Sequence, residues 1–130
     1  LDSSRRMLAA DVASNALGIE LLELDQGRAV CRMTVTDAMI NGHDLCHGGY
    51  VFLLADTAFA CACNTYGPVT VAAGADITFV SPARAGDVLV AEAVERTRYG
   101  RSGLYDVTVR GPGGRVVAEM RGRSRMLREE

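Results

Sequence analysis

The spacing of apolar residues changes along this chain, and each change marks an element. Residues 1–17 place Met7, Leu8 and Val12 at helical intervals, with Ser3 or Ser4 positioned as an N-cap and Gly18 as a stop. That pattern predicts an N-terminal helix running to about Asn15. Ile19 to Leu24 predicts a short strand. From Arg28 to Thr36 the residues alternate, with Ala29, Cys31, Met33 and Val35 on one side and Val30, Arg32, Thr34 and Thr36 on the other. The turn Asp25-Gln26-Gly27 makes these two strands a hairpin.

Asp37 to Gly49 is a loop rich in His, Asn and Gly. Tyr50 to about Tyr66 is then apolar almost without interruption, which predicts a central helix over 49–66 that is buried on every side and ended by Gly67-Pro68. After Pro68 the period is two. Val71, Ala73, Ala75, Ile77 and Phe79 share a face, Val88 to Arg98 is a less regular strand, and Tyr105, Val107 and Val109 share another face. A last strand sets Val116, Ala118, Met120, Gly122, Ser124 and Met126 on one side. Short loops between these four strands predict an antiparallel meander. The order is helix, two strands, long helix, four strands. Its simplest packing is an α+β fold in which one curved antiparallel β-sheet wraps a long central helix.

At 130 residues the chain is one domain, with 48% apolar residues and a formal net charge of −2. No global basic field is present to attract nucleic acid. Cys31, Cys46, Cys61 and Cys63 lack the spacing of a disulfide framework and are read as reduced thiols in a cytoplasmic protein. The apolar run from Tyr50 to Cys63 is interrupted by Asp56 and is too short to span a membrane.

Two features of Asn41-Gly42-His43-Asp44-Leu45-Cys46-His47-Gly48-Gly49 and the helix beyond call for chemistry. Gly48-Gly49 stands where the central helix begins, and a helix start offers unpaired N–H groups and partial positive charge. Glycine there lets a ligand approach the backbone, as an oxyanion site requires, although a glycine pair also serves simply to turn the chain. The second feature is Asp56, a lone carboxylate in an apolar helix. Burying it unpaired costs several kcal/mol. It is therefore hydrogen-bonded, paired with a neighbouring arginine for structure, or facing a polar cavity, where a raised pKa suits a general base. At ~1.5 Å per residue, Gly48 and Asp56 lie ~12 Å apart along one helix. If both act on one carbonyl, two chains must share the site, as an isologous pair of antiparallel central helices would allow.

Asn-Gly-His-x-x-Cys-His-Gly-Gly, followed by Leu-Ala-Asp-Thr-Ala-Phe-Ala, resembles the hotdog-fold thioesterases of the phenylacetic-acid-degradation (PaaI) type. Ile77-Thr78-Phe79 through Pro82-Ala83-Arg84-Ala85-Gly86-Asp87 and Arg101-Ser102-Gly103-Leu104-Tyr105-Asp106-Val107 are similar to the same family, so the likeness spans residues 5 to 127. It implies that Gly48 N–H polarises a thioester carbonyl and that Asp56 of a neighbouring subunit activates water or attacks directly. Asn41 would position water or carboxylate, and His47 would hold the loop. Gly49, Thr57, Arg84, Arg101 and Ser102 would contact the substrate, the last three along its CoA arm. The implied reaction is hydrolysis of an aryl-acetyl-CoA, such as phenylacetyl-CoA or a hydroxylated form, without metal or other cofactor. Phe52, Leu53 and Phe59 would line an acyl pocket that suits a medium aliphatic chain equally well. The implied assembly is a homodimer or homotetramer, with no nucleic-acid or membrane partner.

Other readings remain open at this level. His43, Cys46 and His47 with Cys61 and Cys63 match no common zinc spacing. Cys46 and His47 would have to meet in space to act as nucleophile and base. A non-catalytic acyl-CoA-binding module on the same fold would bind without turnover. A hotdog dehydratase would pair a catalytic His with a carboxylate on the helix, whereas both histidines here precede it. Arg121, Arg123 and Arg125 are expected on a solvated outer face.

Overall fold

A computed structural model describes residues 1–127. The N-terminal region is two helices rather than one: α1 (Asp2–Ala9) and α2 (Val12–Ala16). The break falls at Asp11, whose carboxylate accepts from Ser14 N–H and caps α2. Neither Ser3 nor Ser4 caps a helix. Their hydroxyls instead donate to the carbonyls of Gly67 and Cys61, tying α1 to the far end of the central helix. Val12 is 83% exposed and belongs to no buried face. Gly18 ends the region in the left-handed conformation, at φ 69°.

Strands β1 (Glu20–Asp25) and β2 (Arg28–Thr34) form the predicted hairpin. Ala29, Cys31, Met33 and Val35 are buried, as their alternation implies. The central helix α3 spans Gly48–Cys63 and stops three residues short of the predicted end. Asn64 is the reason. Its amide donates to the carbonyls of Ala60 and Thr70 and accepts from Thr70 N–H, drawing the chain out of the helix and into β3.

Four strands follow: β3 (Thr70–Phe79), β4 (Val88–Tyr99), β5 (Ser102–Arg110) and β6 (Val116–Met126). They complete one antiparallel sheet of order β1-β2-β4-β5-β6-β3, so the meander expected after Pro68 forms over β4, β5 and β6 but does not include β3 as its first strand. The chain crosses the sheet through α3, places β3 on the far edge beside β6, and returns to set β4 beside β2. The expected single face on β3 is also corrected. A bulge between Ala72 and Gly74 inserts one residue, so Val71 and Ala73 fall out of phase with Ala75 and Ile77. On β6 the alternation holds, with Ala118, Met120, Gly122 and Ser124 turned inward. Arg121 pairs with Asp106 and Arg123 with Asp76 on the exposed outer face, while Arg125 donates to Ser102.

The sheet curls round α3, whose inward side chains are mostly small: Ala55, Ala58 and Ala62 are fully buried. Among the larger buried side chains, with Val51 and Leu54, is Phe59, which packs against Tyr105 with ring centroids 5.5 Å apart. Phe59 is thus a core residue and lines no pocket, contrary to expectation. Gly122 makes room for it, since a Cβ there would lie 2.8 Å from the Phe59 ring. Gly122→Ala is expected to destabilise the fold by about 1–3 kcal/mol through overpacking. Denaturant unfolding at fixed protein concentration measures this, and a second change, Phe59→Leu, should recover part of the loss.

Candidate active site

The loop before α3 is held by its own backbone and by Asn41. Ile40 and Cys46 bridge antiparallel, and Asn41 Oδ1 accepts from His43 N–H at 2.9 Å and Leu45 N–H at 3.2 Å. Asp44 takes the left-handed conformation, at φ 63°. Cys46 N–H donates to the Ala83 carbonyl at 2.7 Å, which anchors the helix start against the β3–β4 loop.

His47 is the N-cap of α3. Its Nδ1 accepts from Gly49 N–H at 3.1 Å and its carbonyl from Tyr50 N–H at 3.0 Å. Gly48 N–H is left without an acceptor among the described residues, at the electropositive end of a sixteen-residue helix. The ring of Phe79 lies over this point: a Cβ on Gly48 would come within 2.9 Å of it. Glycine is needed here because side chain and backbone approach closely, not because of an unusual φ.

A cavity of about 430 Å³ opens beside this N–H, and Asn41, Gly48, Val51, Phe79, Pro82 and Val117 are among its walls. Phe79, Val80, Pro82 and Val117 were not expected there. The available signal was an apolar pair at the end of an edge strand: Phe79 is 53% exposed and Val80 56%. Arg84 stands on the same loop, exposed, next to the lining residue Ala83.

Asp56 does not line this cavity. It lies two helical turns further along α3, partly buried, and its carboxyl is raised above the ordinary carboxylate range by desolvation first and by the negative charge of Asp11 second. Among the described residues no hydrogen bond or cation lowers it again, and the arginine pairing that would make it merely structural is not found among them. Thr57 is buried. Its hydroxyl donates to the Leu53 carbonyl at 2.8 Å and lies 2.9 Å from Ser14 Oγ, which in turn donates to Asp11 Oδ2 at 2.6 Å. In the single chain Thr57 thus faces α2 and not the cavity.

Arg101 and Ser102 sit at the β4–β5 turn, at the opposite end of the sheet from the cavity. Seven strand positions separate Ser102 from Val109, or ~23 Å at ~3.3 Å per residue. One chain accordingly gathers Asn41, His47, Gly48, Gly49 and Arg84 near one end, Asp56 with Thr57 midway, and Arg101 with Ser102 at the other.

His43, Cys46 and His47 do not form a ligand set: among the described residues no three His, Cys, Asp or Glu side chains come together around one point. Cys46 and His47 do not form a catalytic pair either. The thiol is buried and pushed up by desolvation and Asp87, while His47 Nδ1 is occupied by Gly49 N–H. Cys63 is likewise pushed up to about 12 by burial.

The model of the Thioesterase superfamily matches residues 43–118, more than half of the chain, including His47, Gly48, Asp56 and the cavity wall from Phe79 to Val117. The chain belongs to the hotdog-fold thioesterase superfamily. This thioesterase is 43% identical over 125 residues to the acyl-coenzyme A thioesterase PaaI of Escherichia coli, covering 96% of this chain and 89% of that one. The solved structure of the E. coli PaaI protein from the phenylacetic acid degradation operon matches with a TM-score of 0.95 at 42% identity, over 98% of this chain and 92% of its own. A mutant of the phenylacetic acid degradation protein PaaI from Thermus thermophilus matches with a TM-score of 0.86 at 37% identity, over 90% and 100%. The hotdog architecture and thioester hydrolysis inferred from the His-Gly-Gly and Leu-Ala-Asp segments are those of the family. No helix among the described residues is long and apolar enough to cross a membrane.

Loss of the N-cap acceptor in His47→Ala is expected to cost about 1 kcal/mol of stability, whereas His47→Asn, which also caps, should stay near wild type. Urea midpoints of the three proteins at equal concentration check this.

Proposed function

We propose that this thioesterase hydrolyses an aryl-acetyl-CoA, phenylacetyl-CoA or a ring-hydroxylated form, in a site shared by two copies of the chain. The observation that carries the proposal is the unclaimed Gly48 N–H beside an apolar, partly aromatic cavity at the free edge of the sheet. Similarity to the E. coli acyl-coenzyme A thioesterase supports CoA as the thiol carrier.

β3 is a ten-residue edge strand with Val71, Phe79 and the following Val80 exposed, whereas the other edge, β1, is short and carries Glu20, Glu23 and Asp25. The bulge at Ala73 and the exposed Asp76 interrupt this edge only locally, and a long, mainly apolar edge strand is a pairing surface. Antiparallel pairing of β3 with its own copy about a two-fold axis would continue the sheet and set the two α3 helices side by side in opposite directions. Each helix start would then face the other copy's Asp56. The partner's Arg101 and Ser102 would come to the end of the sheet that holds the first copy's cavity and Arg84. A CoA arm would thus run between residues that are ~23 Å apart within one chain.

In that site Gly48 N–H donates to the thioester carbonyl oxygen and receives its developing negative charge. Asp56 acts in its ionised form. As a base it takes a proton from water while the oxygen adds to the carbonyl carbon. The C–S bond then breaks, and the sulfur of CoA leaves and is protonated. Direct attack by the carboxylate would give an anhydride that water opens to the same products. Asn41 keeps the loop in place through its two accepted hydrogen bonds, and its position on the cavity wall suits it to hold water. No metal or redox cofactor enters either route. Four free, buried thiols suit a reducing, cytoplasmic setting.

Because desolvation raises Asp56 and the ionised form is the active one, kcat/KM should climb with pH through an acid limb lying above the ordinary carboxylate range. Asp56→Ala, with its oligomeric state retained, should lose about 10²–10⁴-fold in kcat/KM on phenylacetyl-CoA and should lose that limb. Full turnover by the folded variant would falsify the assignment. Mixing these subunits with subunits altered at Gly48 should restore activity if the site is shared.

A further inference from the structure

Asp11 takes no part in the hydrolysis just described, yet it is tied to α3 at the position next to the reacting carboxylate. Asp11 Oδ1 accepts from Ser14 N–H at 2.9 Å and Oδ2 from the Ser14 hydroxyl at 2.6 Å. The short second bond is of the charge-assisted kind. Ser14 is buried, and its Oγ lies 2.9 Å from Thr57 Oγ1, one residue from Asp56. Since the Ser14 proton goes to Asp11, the single Thr57 hydroxyl proton is shared between Ser14 Oγ and the Leu53 carbonyl of the preceding turn, which lies 2.8 Å away. A carboxylate, two hydroxyls and a carbonyl therefore join α2 to the stretch of α3 that presents Asp56.

We propose that Asp11 is a positioning residue for Asp56: through Ser14 and Thr57 it docks α2 on the reactive turn of α3 and keeps a second negative charge beside the reacting carboxylate. The N-terminal helices are then part of the active site and not only a cover for the core. This deepens the proposed function and rests on its reading of Asp56.

The charged surroundings agree. Among the described residues Asp11 from α2 is the charged group that acts on Asp56, and it acts to raise it, after desolvation; no described charge on α1 or on the sheet does so. Along α3 itself, Cys63 responds to Asp56. The titratable groups that the sheet turns toward α3 interact elsewhere, Cys31 with Cys61 and Tyr105 chiefly with Glu95.

Asn and Ser cap helices about as well as Asp, so Asp11→Asn and Asp11→Ser remove the charge and keep the cap. Two quantities are measured on the full-length oligomer: the pH profile of kcat/KM for phenylacetyl-CoA, and the titration of Asp56 followed by carboxyl NMR of aspartate-labelled protein. Either neutral variant should let Asp56 ionise at lower pH, and the acid limb should follow. Activity at the acid edge, relative to the plateau, should rise about threefold. Asp11→Glu should restore the wild-type limb. Ser14→Ala keeps the charge, so its limb should stay in place while kcat falls about threefold at constant KM. An Asp56 titration that does not move in the neutral variants overturns the inference. A titration that moves without the limb shows that the limb belongs to another group, which overturns the reading of Asp56 instead, and the positioning role with it.

Discussion

A partly buried carboxylate with no stabilising donor among the described residues is the constraint round which this molecule is arranged. Asp56 lies on a helix that is otherwise almost wholly apolar, and among the described residues neither an arginine nor a backbone N–H stabilises its ion. Such a group is tolerable only where it stays partly open to solvent. The rest of α3 makes that placement stable. Ala55, Ala58 and Ala62 let the sheet close tightly on one side, and Phe59 fills the space left opposite Gly122 and Tyr105. The carboxylate side is left to the N-terminal helices and, under the proposed function, to a second copy.

Helix geometry keeps the two candidate groups apart. The electropositive end of α3 and its carboxylate are separated by two turns, and nothing among the described residues folds back to join them. The free β3 edge, with Phe79 over Gly48 and the cavity opening beside it, is where a symmetric partner would close the site.

Much of this was legible in the residues. The shift from continuous apolarity in residues 50–66 to period two after Pro68 announces a buried helix followed by strands, because the 3.6 and 2.0 periods differ so plainly. His-Gly-Gly and the isolated Asp56 stood out because each breaks a local rule: paired glycine at a helix start, and charge in an apolar run. Local signals were less informative where tertiary contacts compete with them. Asn64 ends α3 before Gly67-Pro68 because its side chain finds Thr70 across the turn. Asp11 divides the N-terminal helix because its carboxylate caps a new one. The β3 bulge reverses the facing of Val71 relative to Ile77.

By itself, the sequence determined the α+β class, the central helix, the inward faces of β2, β5 and β6, and the His-Gly-Gly and Leu-Ala-Asp segments on which the family resemblance rests. Those depend on the period of side chains along the backbone and on the cost of burying particular groups, both of which are local. Tertiary structure alone decided that β3 crosses to pair with β6, that Phe79 roofs Gly48, that Phe59 belongs to the core, and that Thr57 meets Ser14 and, through it, Asp11. These depend on which surfaces meet after the chain has crossed the sheet, and spacing along a strand or helix carries no information about what lies opposite.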